Sequence, residues 1–158
     1  MERNLKDSAA ILIPPPVFFF VCLGFGFLLE YFFPIHLISL SPIPRFIIGF
    51  IFLVISGCFA VSAFFVLIKN TTPFDTTKST TKIVTDGVYR FSRNPLYLSL
   101  LLLLFGISVL TCSLWLFFTV PILYILFLFK AVKPEEKYLS QKFGKEYLEY
   151  LAKVRRWI

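Results

Sequence analysis

The sequence has few of the residues that form metal sites or covalent nucleophiles. It contains one histidine, His36, and three cysteines, at positions 22, 58 and 112, with no C-x-x-C pair. Zinc sites and disulfide frameworks need several such residues at close spacing, so we expect no metal site and free thiols. There is also no Ser, Cys or His constellation typical of covalent catalysis, which argues against hydrolases and acyltransferases.

Charged residues are also scarce and are confined to short segments. They make up 16% of the chain, against 58% hydrophobic and 19% aromatic residues, and the mean hydropathy is +0.81. Soluble domains have about 45–50% apolar residues, so the composition predicts a small polytopic membrane protein with a single domain over residues 1–158. The net charge of +7 lies in the loops and the tail, which indicates membrane lipid headgroups as partners and no nucleic acid.

Long apolar runs predict an all-α protein with about four membrane helices, at 16–33, 46–68, 95–110 and 114–130. The first run is too long for a signal peptide and has no small-x-small cleavage site. As one helix, the 34 uncharged residues of the third run would overshoot the hydrocarbon, so a break at 111–113 should form a tight hairpin. A re-entrant hairpin is the alternative. Small residues on the second helix predict a close-packing face: Gly49, Ser56, Ala60 and Ala63.

The basic residues predict the orientation in the membrane. Of 16 Lys and Arg residues, 15 lie in the N-terminal head, the loop at 69–94 or the segment from Lys130 onward, and only Arg45 lies opposite. The positive-inside rule therefore places both termini and the loop in the cytoplasm. Residues 134–154 predict one amphipathic helix that either lies on the membrane or folds back over the loop. Residues 154–158 predict a basic and aromatic interfacial anchor.

One polar stretch, Asp86-Gly-Val-Tyr-Arg-Phe-Ser-Arg-Asn-Pro-Leu-Tyr97, directly precedes the longest uncharged run. Asn94-Pro95 predicts a helix start, with the Asn side chain accepting from an early backbone N–H. Gly87 predicts a turn with positive φ. Arg90 and Arg93 lie just outside the hydrocarbon, where they suit lipid phosphates or the carboxylate of a cofactor.

Together with Glu135-Glu136 and residues 143–150, this stretch resembles the isoprenylcysteine carboxyl methyltransferase family and its relatives among phospholipid methyltransferases. The signature of that family reads Gly-x-Tyr, a few residues, Arg-His-Pro-x-Tyr, a hydrophobic hairpin and Glu-Glu. The resemblance covers roughly residues 72–158, with Asn94 in place of the His and Ala131 in place of a substrate-facing Arg. It implies an integral membrane enzyme that uses S-adenosylmethionine at the cytoplasmic membrane face. The expected acceptor is a membrane-partitioning amphiphile, either an isoprenylcysteine-like carboxylate or a lipid headgroup.

The resemblance also implies a cofactor site on the loop, at the start of the third span and just after the fourth. Its residues are Lys82, Ile83, Val84, Tyr89, Arg90, Asn94, Pro95, Leu96, Tyr97, Glu135 and Glu136, with Arg93 and Asn94 as catalytic candidates. Glu135 would accept from the amino group or ribose of the cofactor, and Glu136 would hold Arg90 or Arg93.

Other interpretations stay open. Glu135 and Glu136 also suit the dipole at a helix start, and Tyr89 and Tyr97 also suit an interfacial aromatic belt. Membrane sterol reductases share a related hairpin and loop but bind a nicotinamide cofactor and are much longer. A membrane protein that keeps the fold without catalysis is the third possibility.

Overall fold

The computed structural model describes residues 13–35, 41–70 and 82–158. The N-terminal head, His36 and the first half of the loop lie outside the described residues. Within the described ranges the regular elements are all helical, as predicted: α1 (Pro15–Phe32), α2 (Pro42–Lys69), a 3₁₀ turn (Gly87–Arg90), α3 (Pro95–Thr111), α4 (Leu114–Phe127), a π-helical segment (Leu128–Val132), α5 (Lys133–Phe143) and α6 (Lys145–Lys153).

Three helices of the described part are long and apolar enough to cross a bilayer. They are α1, α2 and the continuous helix Leu114–Phe143, and α3 is a shorter apolar helix beside them. Large apolar side chains such as Phe20, Phe50 and Phe65 point outward and are exposed. Exposed apolar surface of this extent suits lipid rather than water, so the protein is a multi-pass membrane protein.

Helix α3 packs between α2 and α4, and α1 packs mainly against α4. On α2 the buried face includes Gly49, Ser56 and Ala63, spaced seven residues apart. A methyl group on Gly49 would lie 3.2 Å from the carbonyl oxygen of Gly106 on α3, and Ser56 Oγ donates to the carbonyl of Ser99 at 2.7 Å. The predicted close-packing face is confirmed for these three residues, whereas the fourth, Ala60, is only half-buried. Small residues let the two backbones approach in the absence of a hydrophobic driving force.

The turn between α3 and α4 lies where the length of the uncharged run predicts it. Helix α3 ends at Thr111, Cys112 has a left-handed φ of 50°, and α4 begins after Ser113. The Ser113 hydroxyl accepts from Leu116 N–H at 3.2 Å and donates to Glu30 Oε2 at 2.7 Å. This capping serine therefore also ties the turn to α1.

Helix α4 continues through the π segment into α5 without a break, although the sequence predicts a new helix beginning near Pro134. Proline lacks the N–H that would bond one turn back. The π segment absorbs this defect, because Lys133 N–H donates to the carbonyl of Leu128, five residues earlier. The first residues of α5 are therefore held rigidly to the membrane-spanning part of the chain.

The single amphipathic helix predicted at 134–154 is wrong, because Gly144 divides it. Gly144 has a φ of 53°, which ends α5 and turns the chain into α6. Left-handed backbone is accessible to glycine at little cost. The two short helices pack together over the loop, where a common apolar cluster contains Ile83, Leu139, Phe143, Tyr147, Tyr150, Leu151 and Val154. Of the two predicted placements, folding back over the loop is the observed one.

Candidate functional site

Three segments that are distant in sequence meet at one end of the bundle, through Arg93 before α3, Glu136 in α5 and Arg156 in the tail. We call this the charged end and residues 154–158 the tail. Arg93 Nη1 lies 3.1 Å from Glu136 Oε1, and the two side chains are only 12% and 15% exposed. Arg156 Nε and Nη2 donate to the two oxygens of Glu136, at 2.9 and 2.8 Å. Paired guanidinium–carboxylate bonds fix both distance and orientation, so Glu136 joins all three segments.

Glu135 is fixed by a tyrosine of α3. The Tyr97 hydroxyl donates to Glu135 Oε2 at 2.8 Å, and its buried ring packs against Phe127 with 5.3 Å between the ring centroids. The other oxygen of Glu135 accepts no hydrogen bond from any residue that the structure describes. Tyr97 therefore holds the carboxylate in place and leaves one acceptor available.

The helix-dipole explanation of the glutamate pair does not apply. Glu135 and Glu136 lie inside the continuous helix Leu114–Phe143, where no free helix N-terminus exists to attract acids.

Tyrosines of α6 and of the 3₁₀ turn enclose the same end. The Tyr150 hydroxyl donates to the carbonyl of Tyr89 at 2.7 Å, and the Tyr147 and Tyr150 rings lie 6.1 Å apart. Burial raises the pKa of Tyr150 to about 12. Burial and the neighbouring Glu135 carboxylate also raise the pKa of Tyr89. These hydroxyls are therefore neutral hydrogen-bond donors at physiological pH.

Asn94 has a different role from the one its position predicts. Helix α3 does start at Pro95, but the Asn94 side chain makes no capping bond. Its Nδ2 instead donates to the carbonyl of Arg156 at 2.9 Å. The side chain is buried, so its amide donor needs an acceptor, and the tail carbonyl provides one.

The other predicted residues do not all reach the charged end. Lys82 is exposed and donates to Asn70 Oδ1 at 3.3 Å, and Arg90 is exposed and pairs with Asp86 at 3.6 Å. Of the two arginines, only Arg93 contacts Glu136. Gly87 has the predicted positive φ, 57°. The remaining four are buried or partly buried: Ile83, Val84, Pro95 and Leu96.

The sequence missed the contribution of the tail. Residues 154–158 predict an interfacial anchor, but Trp157 packs against the main core, with its ring 5.3 Å from that of Tyr124, and Arg156 bonds Glu136. The only signal was the presence of two arginines near the chain end, without an acidic partner at helical spacing.

Two buried donors at the charged end lack an acceptor among the described residues, namely Arg93 Nε and Trp157 Nε1. An unpaired buried donor costs about 1–3 kcal/mol, so natural structures seldom leave one without a reason. With the available oxygen of Glu135, this end offers both donors and an acceptor. Such a set fits the carboxylate and ammonium of an amino acid group, as the expected cofactor carries.

A family model described as phospholipid methyltransferase matches residues 44–146. Protein-S-isoprenylcysteine O-methyltransferase B of Arabidopsis thaliana is 34% identical over 73 residues, which are 46% of this chain and 37% of that protein. A probable protein-S-isoprenylcysteine O-methyltransferase of Oryza sativa subsp. indica is 37% identical over 83 residues, 46% of this chain and 38% of that protein. The chain thus spans less than half the length of these curated relatives. No solved structure matches it.

The matched stretch covers about two thirds of the 158 residues. It contains the loop, the α3–α4 hairpin and both glutamates of the charged end, whereas the tail lies beyond it. By this match, the chain is a member of the phospholipid methyltransferase family.

Proposed function

We propose that this protein transfers the methyl group of S-adenosylmethionine to a membrane-partitioning acceptor at the cytoplasmic membrane face. The observation that carries the proposal is the set of unsatisfied polar groups at the charged end. Within the described part of the chain, Glu135 keeps an available oxygen, and Arg93 Nε and Trp157 Nε1 are buried donors without acceptors. Family membership and the names of the curated relatives support the reaction type.

In this proposal, the acidic and the donor side chains bind different groups of the cofactor. Glu135, oriented by Tyr97, accepts from the ammonium or ribose of the cofactor, and Arg93 and Trp157 donate to its carboxylate. The chemistry that the cofactor supplies when bound is an electrophilic methyl carbon on a sulfonium. Holding reactants in line and excluding water provides most of the acceleration for such a step. The neutral tyrosines at positions 89, 97 and 150 surround the charged end. Tyr97 orients Glu135, and Tyr150 holds the carbonyl of Tyr89.

Asn94 is less suited to a catalytic role than Arg93, because its amide is engaged by the tail. We therefore propose Arg93 as a binding residue and Asn94 as a support for the tail. A carboxylate acceptor is already nucleophilic at neutral pH and needs no base. An amine acceptor would need to lose a proton, and Asn94 cannot titrate.

The surface of the bundle supports an amphiphilic acceptor. Away from the charged end, the exposed side chains of α1 and α2 are mostly large and apolar, so a lipid-like molecule can approach between helices while its head stays at headgroup depth. Ala131, at the position of the family's substrate-facing Arg, is fully buried. Lys133 lies nearby, exposed over the Phe129 ring at 4.0 Å. We propose an acceptor whose head is a carboxylate, amine or thiolate, either prenylcysteine-like or a lipid headgroup.

Calorimetry on the purified protein in detergent tests the cofactor assignment by comparing S-adenosylmethionine with NADPH. We expect binding of S-adenosylmethionine alone. Binding of NADPH alone would indicate the reductase alternative, and binding of neither would indicate a fold kept without catalysis. The variant Glu149→Gln controls for the loss of an acidic charge away from the charged end, because Glu149 is an exposed acid of α6 paired with Lys145. It should bind S-adenosylmethionine like the wild type.

A further inference from the structure

The tail is bound to the loop through its backbone. Arg93 N–H donates to the carbonyl of Arg155 at 3.1 Å, and Asn94 Nδ2 donates to the carbonyl of Arg156 at 2.9 Å. The Ser92 hydroxyl donates to the same carbonyl at 3.4 Å. Ser92 and Asn94 are both buried, so the donor side of the two side-chain bonds is shielded from water. The tail therefore docks beside the start of α3 even apart from its charged side chains.

The Arg156 side chain adds a second attachment, to α5. It satisfies both oxygens of Glu136, while Arg93 contacts one of them. The hydrogen bonds that Arg156 donates to Glu136 also raise the pKa of Arg156, as expected for a charge-assisted pair. Without Arg156, Glu136 would keep a single guanidinium partner at one oxygen. Its carboxylate could then rotate, and Arg93 would lose its fixed direction.

The next residue, Trp157, carries a further buried donor. Trp157 packs against Tyr124 of α4, and its buried indole N–H has no acceptor among the described residues. Displacement of the tail would remove this N–H together with the support of Arg93. Of the three buried donors that lack an acceptor among the described residues, the tail thus carries one, Trp157 Nε1, and supports a second, Arg93 Nε.

We propose that the tail is a part of the cofactor site and that Arg156 is a positioning residue for it. Arg156 holds Glu136 and, through it, Arg93, while the tail backbone locks the loop against α5. This inference rests on the proposed function for the identity of the ligand. The contacts themselves do not depend on that function, and the tail residues that make them lie beyond the stretch that the family model matches.

The test compares Arg156→Gln, Arg156→Lys and the control Lys153→Gln in the full chain. Two quantities are measured, the dissociation constant of S-adenosylmethionine by calorimetry and the hydrogen exchange of the loop and tail amides without ligand. Lys153 is an exposed cation at the end of α6, so its variant loses the same charge without touching Glu136. Because hydrogen bonds between charged groups are the strong ones, we expect Arg156→Gln to weaken binding by about 10- to 100-fold. It should also speed exchange at the Arg93 amide.

Arg156→Lys should restore part of the affinity, because it keeps the charge but cannot form the two parallel bonds. Lys153→Gln should bind like the wild type. A second variant that should release the tail from the loop is Asn94→Asp, which replaces the donor facing the carbonyl of Arg156 by an acceptor. It should accelerate tail exchange and weaken binding as well.

The outcomes separate the two hypotheses. If the wild type binds S-adenosylmethionine and both Arg156→Gln and Asn94→Asp bind it equally well, the positioning role is wrong and the proposed function stands. If binding weakens while exchange at Arg93 stays slow, Arg156 does not act through the loop and the inference is also wrong. A wild type that binds no S-adenosylmethionine would overturn the proposed function itself.

Discussion

Replacing Glu135 by Gln separates the charge of this residue from its structural contact. The Tyr97 hydroxyl donates to Glu135 at 2.8 Å, and the amide oxygen of Gln can accept the same bond. The fold should therefore be retained, whereas the charge-assisted acceptor for the cofactor is lost. Such a hydrogen bond contributes about 1.5–3 kcal/mol, so the affinity for S-adenosylmethionine should fall by roughly 10- to 150-fold.

The assay is calorimetric titration, with the thermal unfolding midpoint measured on the same samples. Tyr97→Phe provides a second arm, because it keeps the ring packed on Phe127 but frees the Glu135 carboxylate. It should weaken binding less than Glu135→Gln, and the two effects should not be additive, since both act through one carboxylate. A folded Glu135→Gln protein that binds as tightly as the Glu149→Gln control would refute the assignment of Glu135 to the cofactor.

Three further outcomes are expected. Gly49→Ala should lower the free energy of unfolding by about 1–3 kcal/mol because the added methyl group forces α2 away from α3. Gly57→Ala should leave this free energy unchanged, because the space around Gly57 is open. Equal stabilities of the two variants in a detergent unfolding assay would contradict the packing of α2 on α3. Reporter fusions after Ile158 and within residues 39–44 should lie on opposite sides of the membrane, and finding both on one side would exclude the four-span topology. Stability should fall as the pH rises from about 10 to 12, because burial raises the folded-state pKa of Tyr150 to about 12. The same side chain in the unfolded chain loses its proton near the ordinary tyrosine pKa of about 10. Tyr150→Phe should reduce this slope without abolishing it, because burial also raises the pKa of Tyr89, and an unchanged slope would argue against the role of Tyr150.

The bundle could be predicted because its signals are local and strong. A 34-residue uncharged run cannot cross the hydrocarbon once without overshooting it, and the chain turns at Cys112 accordingly. The small residues of α2 recur on one helical face, so their packing against α3 also follows from sequence. The signature residues Tyr97 and Glu135 meet because the hairpin returns the chain to the same end.

The contacts at the charged end could not be predicted, because they depend on hydrogen-bond partners from distant parts of the chain that no local sequence pattern reveals. Pro134 ordinarily marks a helix start, but a π segment kept the helix continuous by using a carbonyl five residues back. Asn94 is a good capping residue, yet its side chain makes no capping bond, and its amide N–H donates to a tail carbonyl 62 positions away. Likewise, Glu136 and Arg156 are 20 residues apart and on different elements, so no helical spacing rule relates them. Gly144 is the exception, since a glycine in an amphipathic run is a recognised signal for a helix end.

Methyl transfer in liposomes would test the proposed activity itself. Purified protein reconstituted with S-adenosylmethionine carrying a labelled methyl group would be offered membrane lipids and prenylcysteine-type amphiphiles alongside small soluble thiols and acids. We expect label in the amphiphilic fraction, with Glu135→Gln strongly reduced and Glu149→Gln unchanged. Label confined to the soluble acceptors would contradict access from the membrane, and no labelled product with any acceptor would contradict the proposed methyltransferase activity.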